Sequence, residues 1–576
     1  MNRFFYIIII FLLFLSSCSL KEKEVAILTP QNTLNSQAGV ASYINGCYNI
    51  FTTGSCFKTG YQPFFLRGDE IYAPSSYGNF SSKADNPQSS QTGSFWGSMY
   101  SVIQNANYLI ANIQPMKLDS AYKARTVGEC YFLRAFCYYY LVRIFGDVPL
   151  KLQPTTDGKL VNFPRVIADT IYRQIFNDLS LANATLLPYS KQPFAEFGHA
   201  TKGAAQAILA SAYLTYGNRL DLLGNTASAK IYYQLAENFA DSVINSGQYN
   251  LIPNYSNLWD VAQEKNAYKE VIFGIHFMRN TQGSSAGVGS EYADMFMPGN
   301  MPNVAGYNVL VNIYNTNGIK KDTSNLPQTG QGYFLVQPWF VKTYTSGDYT
   351  NDYRGDCSFL SSWGYQTNQG DSIHVFTYPQ SIPTQTSTYW VSSNANTYLQ
   401  KYVDPYAFDA PNNENDLFII RLAEVYLIKA EAENEINGPT GVAYSAFNML
   451  RARARNANGV LRTTPANLQT GLTQAQFRMK INDERALELV GEGHRWFDLI
   501  RQKSPNGTTM LEYQLSTVIP SFTQGMPVWN GKTKTWGGGL TYLPGVPSFL
   551  QRFLLLPIPF NETSTNPAIT YQNPGY

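Results

Sequence analysis

Residues 125–150 read RTVGECYFLRAFCYYYLVRIFGDVPL, and this stretch decides the fold. Apolar or aromatic side chains fill nearly every position from 131 to 144, so a helix here has no broad polar face and should be buried on most sides. Gly146 can adopt the left-handed conformation that ends a helix, and Pro149 prevents the helix from continuing. A helix buried on most sides must be surrounded by other helices.

Two arginines interrupt this apolar run. Arg134 and Arg143 lie on the predicted helix, and a charged group that is removed from water needs a partner. Ala135 leaves room for a neighbouring helix to approach closely. We therefore expect partners for both arginines on the elements that pack around this helix.

The rest of the chain supplies those helices. Apolar residues recur at helical spacing in 36–51, from 95 onward, and in 165–187, 201–216, 229–244, 416–435, 444–455 and 474–501. The pair 201–216 and 229–244, with small residues at the crossings, is typical of tetratricopeptide packing, although no clean repeat of about 34 residues is present. The predicted fold class is mainly α: a degenerate tetratricopeptide-like helical superhelix with a large irregular, loop-rich part.

The N-terminus has the pattern of a lipoprotein signal. Residues 1–17 contain a short basic start and an apolar run that is shorter than the roughly 20 residues of a spanning helix. The sequence Leu-Ser-Ser-Cys ending at Cys18 is a lipobox, so we expect Cys18 to be acylated and to anchor the chain in lipid; an ordinary signal peptide with a nearby cysteine is the alternative. Residues 18–35 would then be a lipidated tether.

Composition excludes some functions and leaves others open. The 576-residue chain has a net charge of +2 and only 14% charged residues, so no basic field suggests nucleic acid. The 41 tyrosines indicate either core and amphipathic surface or stacking of flat ligands. The six cysteines and four histidines show no zinc spacing; Cys47 and Cys56 could form a disulfide, but nothing requires one. We expect no metal and no cofactor.

Regular periodicity is lost between residues 280 and 411, where Gly, Ser, Thr, Asn, Gln and Tyr dominate. Aromatic residues recur throughout this loop-rich insert, which favours an ordered region braced on the helices over disorder.

Four motifs, in order, resemble one known family. They are R…E.YFLRAF.Y..L.R.FGDVPL, IRLAEVYLIKAEA, INDERALELVGEGHRWFDLIR and LLLPIP…QNPGY. With the lipobox, they resemble the SusD/RagB family of glycan-capturing surface lipoproteins in Bacteroidetes-type bacteria, over essentially the whole mature chain. The resemblance implies an N-terminal helical part at 36–260 and a C-terminal part at 261–576 that contains the insert 280–411.

A cluster of carboxylates lies in the third motif. Glu484 and Glu488 share a helix face, and Glu492 and Asp498 follow. A glycosidase could use two of them as acid and base. We favour a structural interpretation, in which they pair with arginines between helices, because arginines lie in the same segment and the resembled family has no known catalysis. No catalytic residues are predicted.

The resemblance directs the search for ligand contacts to two loop regions. Exposed rings stack on the C–H face of a sugar, and Asp, Asn or Arg bind its hydroxyls. The candidate ligand-binding residues are Asp69, Tyr77, Phe80 and Trp96 near the first long loop, and Trp363, Tyr365 and Trp390 in the insert. Each could instead pack in the core or brace a loop.

The resemblance implies that the protein captures an oligosaccharide at the outer membrane and faces the cell exterior. Its implied partner is a TonB-dependent SusC-like transporter, over which it would sit as a lid. Two other functions stay open: a glycan-degrading surface enzyme, and a helical-repeat scaffold that binds only protein.

Overall fold

The computed structural model describes residues 34, 36–73, 77–155, 162–279, 289–297, 331–360, 362–366, 372–376, 397–404, 413–519, 526–530, 535–541 and 549–576, with only the backbone of 362–366, 372–376, 526–530 and 535–541.

The mainly helical fold is confirmed in these residues. The longer helices of the N-terminal half are α1 (Gln37–Thr52), α2 (Ser90–Asn112), α3 (Ser120–Phe145), α4 (Ala168–Thr185), α5 (Lys202–Leu222) and α6 (Thr226–Ile244). Those that follow are α7 (Pro338–Tyr344), α8 (Tyr353–Ser358), α9 (Leu422–Asn437), α10 (Gly441–Ala454), α11 (Gln474–Glu488) and α12 (Arg495–Arg501). Shorter helices lie at Gln62–Phe65, Gly78–Ser81, Glu264–Ala267, Tyr292–Phe296, Met510–Tyr513 and Phe560–Thr565.

The described strands are short and form antiparallel pairs. They are β1 (Ile71–Tyr72) with β5 (Leu335–Val336), β2 (Val148–Pro149) with β3 (Arg165–Val166), β4 (Val271–Ile275) with β10 (Leu417–Arg421), β6 (Phe359–Leu360) with β9 (Tyr398–Leu399), β7 (Ser362–Gln366) with β8 (Ser372–Phe376), β11 (Asn456–Ala457) with β12 (Val460–Leu461), and β13 (Met526–Asn530) with β14 (Thr535–Thr541).

Helix α3 is the buried centre that its sequence predicts. The Asp119 side chain accepts a hydrogen bond from the Tyr122 amide at its start, and Gly146 ends it with a φ of +69°. Every residue from 132 to 142 is buried. A Cβ on Gly128 would lie 1.9 Å from Thr185 Oγ1, so α4 can pack this closely only against glycine.

The two arginines of α3 differ in their surroundings. Arg134 makes a bidentate contact with Asp178 of α4, with both N–O distances at 2.8 Å, and also donates to Asn107 of α2 at 2.7 Å. The expectation of a partner is confirmed for Arg134. Arg143 has three aromatic rings around its guanidinium and, within the described part of the chain, no carboxylate within ion-pair distance.

Helices α5 and α6 form a tightly packed hairpin, and α9 packs against α6. Gly217 of α5 lies under the ring of Tyr233, where a Cβ would be 2.8 Å from ring carbons. Small residues at a helix crossing are what the tetratricopeptide-like pattern predicts.

Two predicted helices are wrong in part. Residues 416–435 begin as strand β10, which pairs with β4, before α9 starts at Leu422. Residues 474–501 are two helices, α11 and α12, separated by a turn in which Gly491 and Gly493 have φ of +70° and +83°.

One large hydrophobic core joins the N-terminal helices to the C-terminal segment. Phe553, Leu556 and Ile558 are fully buried in the same cluster as α3, and the Leu556 amide donates to the Ile144 carbonyl at 2.8 Å. Among the described residues, no helix is both long enough and apolar enough to span a bilayer.

Candidate functional site

The first long loop is fixed to the C-terminal helices by buried charge. Asp69 accepts from Arg495 of α12 at 2.6 and 2.9 Å and is only 5% exposed. Arg67 pairs with Asp85 and lies 4.7 Å from the Trp496 ring centroid. The expected role of Asp69 as an exposed ligand contact is therefore corrected: its carboxylate holds the loop on α12.

Phe80 and Trp96 are also buried. Phe80 is 2% exposed, and Trp96 is 4% exposed with its ring 4.9 Å from Phe145 in an edge-on arrangement. The Trp96 indole N–H donates to Glu562 at 3.3 Å. Because a buried ring offers no face to a ligand, both belong to the core of this structure and not to an exposed shelf.

Tyr77 is the candidate of the first loop that stays half-buried. Its ring centroid lies 5.9 Å from that of Tyr333, which is also half-buried, and 5.4 Å from Phe334. Burial raises the pKa of Tyr77 above its usual value. The first loop and the insert therefore meet at a pair of partly open tyrosine rings.

The insert carries the other candidates. Trp363 and Tyr365 lie in β7, opposite Val375 and Ile373 of β8, and alternate positions of one strand share a face of a hairpin. Trp390 lies outside the described residues, as does Cys18.

Both ends of the insert are fastened together at what we call the insert root, formed by β4, β10, Arg279 and Asp404. Leu417 pairs with Ile275 where β10 begins and β4 ends. Arg279 binds Asp404 through two contacts of 3.1 and 3.0 Å and Glu414 at 2.8 Å. The two ends of the insert are thus held side by side.

A histidine lies between two carboxylates at this root. His276 Nδ1 is 2.7 Å from Asp416 and 3.8 Å from Glu264, and Asp416 also accepts from the Tyr268 hydroxyl at 2.7 Å. Sequence reasoning missed this group because its members are far apart in the chain.

The electrostatics of this group favour an ion pair. Burial lowers the pKa of His276, but the neighbouring Asp416 carboxylate has the larger opposite effect and raises it to about 10. Burial raises the pKa of Glu264 to about 8. Burial opposes ionisation of Asp416, but His276 lowers its pKa overall. The three ligand atoms lie within 4.8 Å of one another, a spacing that a divalent cation can bridge. With its pKa raised in this way, the imidazole of His276 carries a positive charge at neutral pH and balances Asp416.

The carboxylates that could suggest catalysis are buried in a charge cluster. Glu488 is fully buried and accepts from Arg354 at 2.9 Å, from Arg421 at 2.6 Å and from Arg453. Burial raises its pKa, but these arginines lower it well below the usual range. The cluster contains the carboxylates of Glu270, Asp352, Glu484, Glu488 and Glu492 and the cations of Arg354, Lys401, Arg421, Arg451 and Arg453.

The structural interpretation of the carboxylates is confirmed. Asp498 pairs with Arg485 and Arg501, both at 2.8 Å, as the segment predicted, whereas Glu484, Glu488 and Glu492 use cations from other elements. Equal numbers of positive and negative groups occupy the cluster, and none of its carboxylates reaches the surface. A substrate has no access to them.

This cluster also positions the insert. Arg354 in α8 and Lys401 just after β9 flank residues 361–396. Arg354 contacts Glu488, the last residue of α11, and Lys401 contacts Glu492 in the turn that follows, both at 2.9 Å.

The disulfide that Cys47 and Cys56 could have formed is not present. The cysteines in the described part of the chain are free thiols: Cys47, Cys56, Cys130, Cys137 and Cys357.

The chain matches known proteins along its length. Residues 269–576 match the model of the SusD family, and residues 20–214 match a model described as starch-binding and associating with the outer membrane. SusD-like protein P2 of Formosa agariphila is 30% identical over 599 aligned positions, covering 100% of both chains.

Solved structures share the fold. A SusD homologue from Bacteroides thetaiotaomicron has a TM-score of 0.71 and 22% identity, covering 95% of this chain and 98% of its own. A laminarin-binding SusD-like protein has a TM-score of 0.65 and 22% identity, covering 94% of this chain and 100% of its own. Because one family model covers more than half of the sequence and a relative aligns over its full length, the chain belongs to the SusD family.

Proposed function

We propose that the protein captures an oligosaccharide at the outer membrane and presents it to a TonB-dependent SusC-like transporter. The observation that supports this most directly is the junction of Tyr77 and Tyr333, where the first loop meets the insert on a rigid helical scaffold. Membership of the SusD family, whose matching models include one described as starch-binding and associating with the outer membrane, supports the ligand class and the location.

The proposed ligand contacts are Tyr77, Trp363, Tyr365 and Trp390. Partly open rings can stack on the apolar face of a sugar. Phe80 packs beside Tyr77, with ring centroids 6.5 Å apart, whereas Asp69 and Trp96 are buried and are not proposed as contacts. Capture involves no covalent chemistry, which agrees with the burial of the carboxylate cluster.

The proposed attachment to the membrane is through acylated Cys18, and the tether expected at 18–35 ends before Leu34, which is buried in a cluster with Val40 and Ile44 of α1. The tether would let the protein open over the transporter and face the exterior. Several acyl chains on one residue give stable anchoring, at about 0.8 kcal/mol per buried methylene. Cys18→Ala should move the protein from the membrane fraction to the soluble fraction on cell fractionation. Continued membrane association of this variant would contradict the lipobox.

The glycan proposal is tested by binding of soluble starch and laminarin to the purified protein, measured by calorimetry. Trp363→Ala, Trp390→Ala and Tyr77→Ala should each weaken binding about tenfold, because each removes a stacking ring. Phe194→Ala is the control, since Phe194 is 82% exposed on the loop between α4 and α5. Tyr77→Phe, which keeps the ring, should bind almost normally.

The same samples distinguish the other functions. Shortened products after incubation would identify a glycan-degrading enzyme, whereas intact glycan with a raised Tm supports capture. No response to any glycan, together with unchanged behaviour of the ring variants, would identify a protein-binding scaffold. Isolation of a barrel transporter with the wild-type protein tests the partner.

A further inference from the structure

The hairpin formed by β13 and β14 carries two of the eight tryptophans of the chain at facing positions. Trp529 of β13 pairs directly with Trp536 of β14 in the antiparallel register. Directly opposite residues of an antiparallel pair share one face of the sheet, and their Cα atoms are about 4.5–5.5 Å apart. The register therefore places two tryptophans side by side on one face of this hairpin.

This pair differs from the tryptophans of the core. Trp96, Trp339 and Trp496 are buried in the large hydrophobic cluster. Among the described strands, β13 and β14 pair only with each other. A two-stranded hairpin is at best marginally stable by itself, so a cross-strand pair of large residues contributes to its stability. That structural role does not require glycines beside the pair.

The ladder between the two strands is irregular immediately beyond the pair. From Val528↔Gly537 to Met526↔Thr541, β13 advances by two residues and β14 by four, so the extra residues lie in the glycine-rich part of β14. Glycine weakens the interior of a strand and commonly marks a bulge or a place where a ligand or another backbone approaches closely. Bulges are frequent beside functional sites. The three glycines 537–539 leave a segment without side chains next to the tryptophan pair.

The composition of the two strands favours an uncharged ligand. Met526–Asn530 and Thr535–Thr541 contain no Asp, Glu, Lys, Arg or His. Strands without charge cannot neutralise a carboxylate or a phosphate, whereas the face of an indole stacks on the apolar C–H face of a neutral sugar ring. A tryptophan followed by glycine also occurs in β7, where Trp363 and Gly364 precede Tyr365. The hairpin thus repeats a pattern of the insert to which ligand contacts are assigned above.

We propose that the face of the β13–β14 hairpin that carries Trp529 and Trp536 is a second binding element for neutral sugar rings. The inference rests on the proposed function for its ligand class, but it concerns residues that are distant in sequence from the first loop and the insert. A polysaccharide that two elements of one protein hold is released more slowly, because release from one element leaves the other bound. The hairpin extends capture from a short segment of glycan to a long chain.

The test uses the full-length protein labelled with 5-fluorotryptophan, in which each of the eight tryptophans gives its own fluorine NMR signal. Trp529→Phe and Trp536→Phe each remove one signal and thereby assign the pair. Addition of laminarin or soluble starch should shift both assigned signals until the protein is saturated. Both signals should still shift in the Tyr77→Ala variant, because the hairpin binds without the ring of the first loop.

Calorimetry provides the second measurement. Trp529→Ala and Trp536→Ala should each weaken binding of the polysaccharide roughly three- to tenfold. Thr535→Ala is the matched control, because Thr535 is adjacent to Trp536 in β14 but on the other face, and this variant should bind like wild type. If the alanine variants do not fold, the fluorine spectrum of the wild-type protein decides.

The outcomes separate this inference from the proposed function. If the protein binds glycan while the signals of Trp529 and Trp536 stay unchanged, the pair only stabilises the hairpin; the inference is then overturned and the proposed function stands. If neither glycan binds and no signal shifts, the proposed function fails and this inference fails with it.

Discussion

Arg354 is fully buried, and its charge can be accommodated because three carboxylates contact it: Asp352 and Glu484 at 2.7 Å and Glu488 at 2.9 Å. The acidic and basic residues of this cluster come from segments up to about 200 positions apart. The sequence indicates that the carboxylates are structural, because arginines accompany them, but it cannot identify Arg354 or Arg421 as their partners.

Arg354→Met should lower the free energy of unfolding by about 3–5 kcal/mol, because it leaves buried carboxylates without their counter-charge. Arg462→Met is the control: Arg462 forms a partly exposed pair with Asp356, whose loss should cost no more than about 1 kcal/mol. Urea unfolding measures both. If both variants lowered the free energy of unfolding by the same amount, the buried cluster would contribute no more to stability than a partly exposed ion pair.

The candidate ligand residues show a second limit of residue-level reasoning. Asp69 and Trp96 have the residue types that bind sugars, and both lie in or beside a long loop, yet Arg495 and Glu562 engage them. Exposure depends on partners more than 400 positions away in the chain, which no local pattern reveals. Tyr77 has the same kind of neighbourhood in sequence but remains half-buried.

At the scale of elements, the sequence predicts the long helices well and the interruptions poorly. Periodicity identifies α3 to α6 because each buries an apolar face. The sequence does not reveal strand β10, because its short apolar run is equally compatible with the first turn of α9. Only its pairing with β4 makes it a strand. The break between α11 and α12 depends on two glycines at positive φ.

Gly491→Ala should destabilise the protein by roughly 1–3 kcal/mol, because the residue has a φ of +70° and a Cβ would lie 2.3 Å from Leu399. Gly46→Ala is the opposite control: it lies within α1 with no atom within 4 Å of the added Cβ, so it should stabilise by about 0.5–1 kcal/mol. Thermal unfolding distinguishes the two. A neutral Gly491→Ala variant would show that the turn between α11 and α12 tolerates a side chain.

The insert root should make stability depend on pH. The pKa of His276 is raised to about 10, so its contribution is complete below its usual value of 6.5 and is lost as pH rises through 10. The pKa of Asp416 is lowered, so its contribution is lost only in acid, as pH falls through that lower value. The His276→Gln variant should therefore have a lower free energy of unfolding than wild type at pH 7. This difference should become smaller as pH rises from 7 to 10. A constant difference in unfolding free energy across this range would contradict the ion pair.

At the scale of the whole molecule, the two family segments share one interior. Buried residues of α3, β4, α9, α12 and the segment 553–558 belong to the same core cluster. The boundary near residue 260 separates sequence blocks and does not separate hydrophobic cores. A resemblance between sequences can predict the blocks, but their packing into one core is visible only in three dimensions.

A fragment comprising residues 36–260 should not fold by itself, because it lacks the partners of α3 from the C-terminal part. Its heat capacity trace should show no cooperative transition, whereas that of the full-length protein should show one. A cooperative transition of the fragment would mean that the N-terminal helices form an independent domain.

The contact between Leu556 and Ile144 has a consequence for biogenesis. Helix α3 is translated early, but its last covering residues emerge from the ribosome only after more than 400 further codons have been read. Premature compaction during synthesis is thereby disfavoured, because α3 cannot complete its buried surroundings until the C-terminal segment has been made.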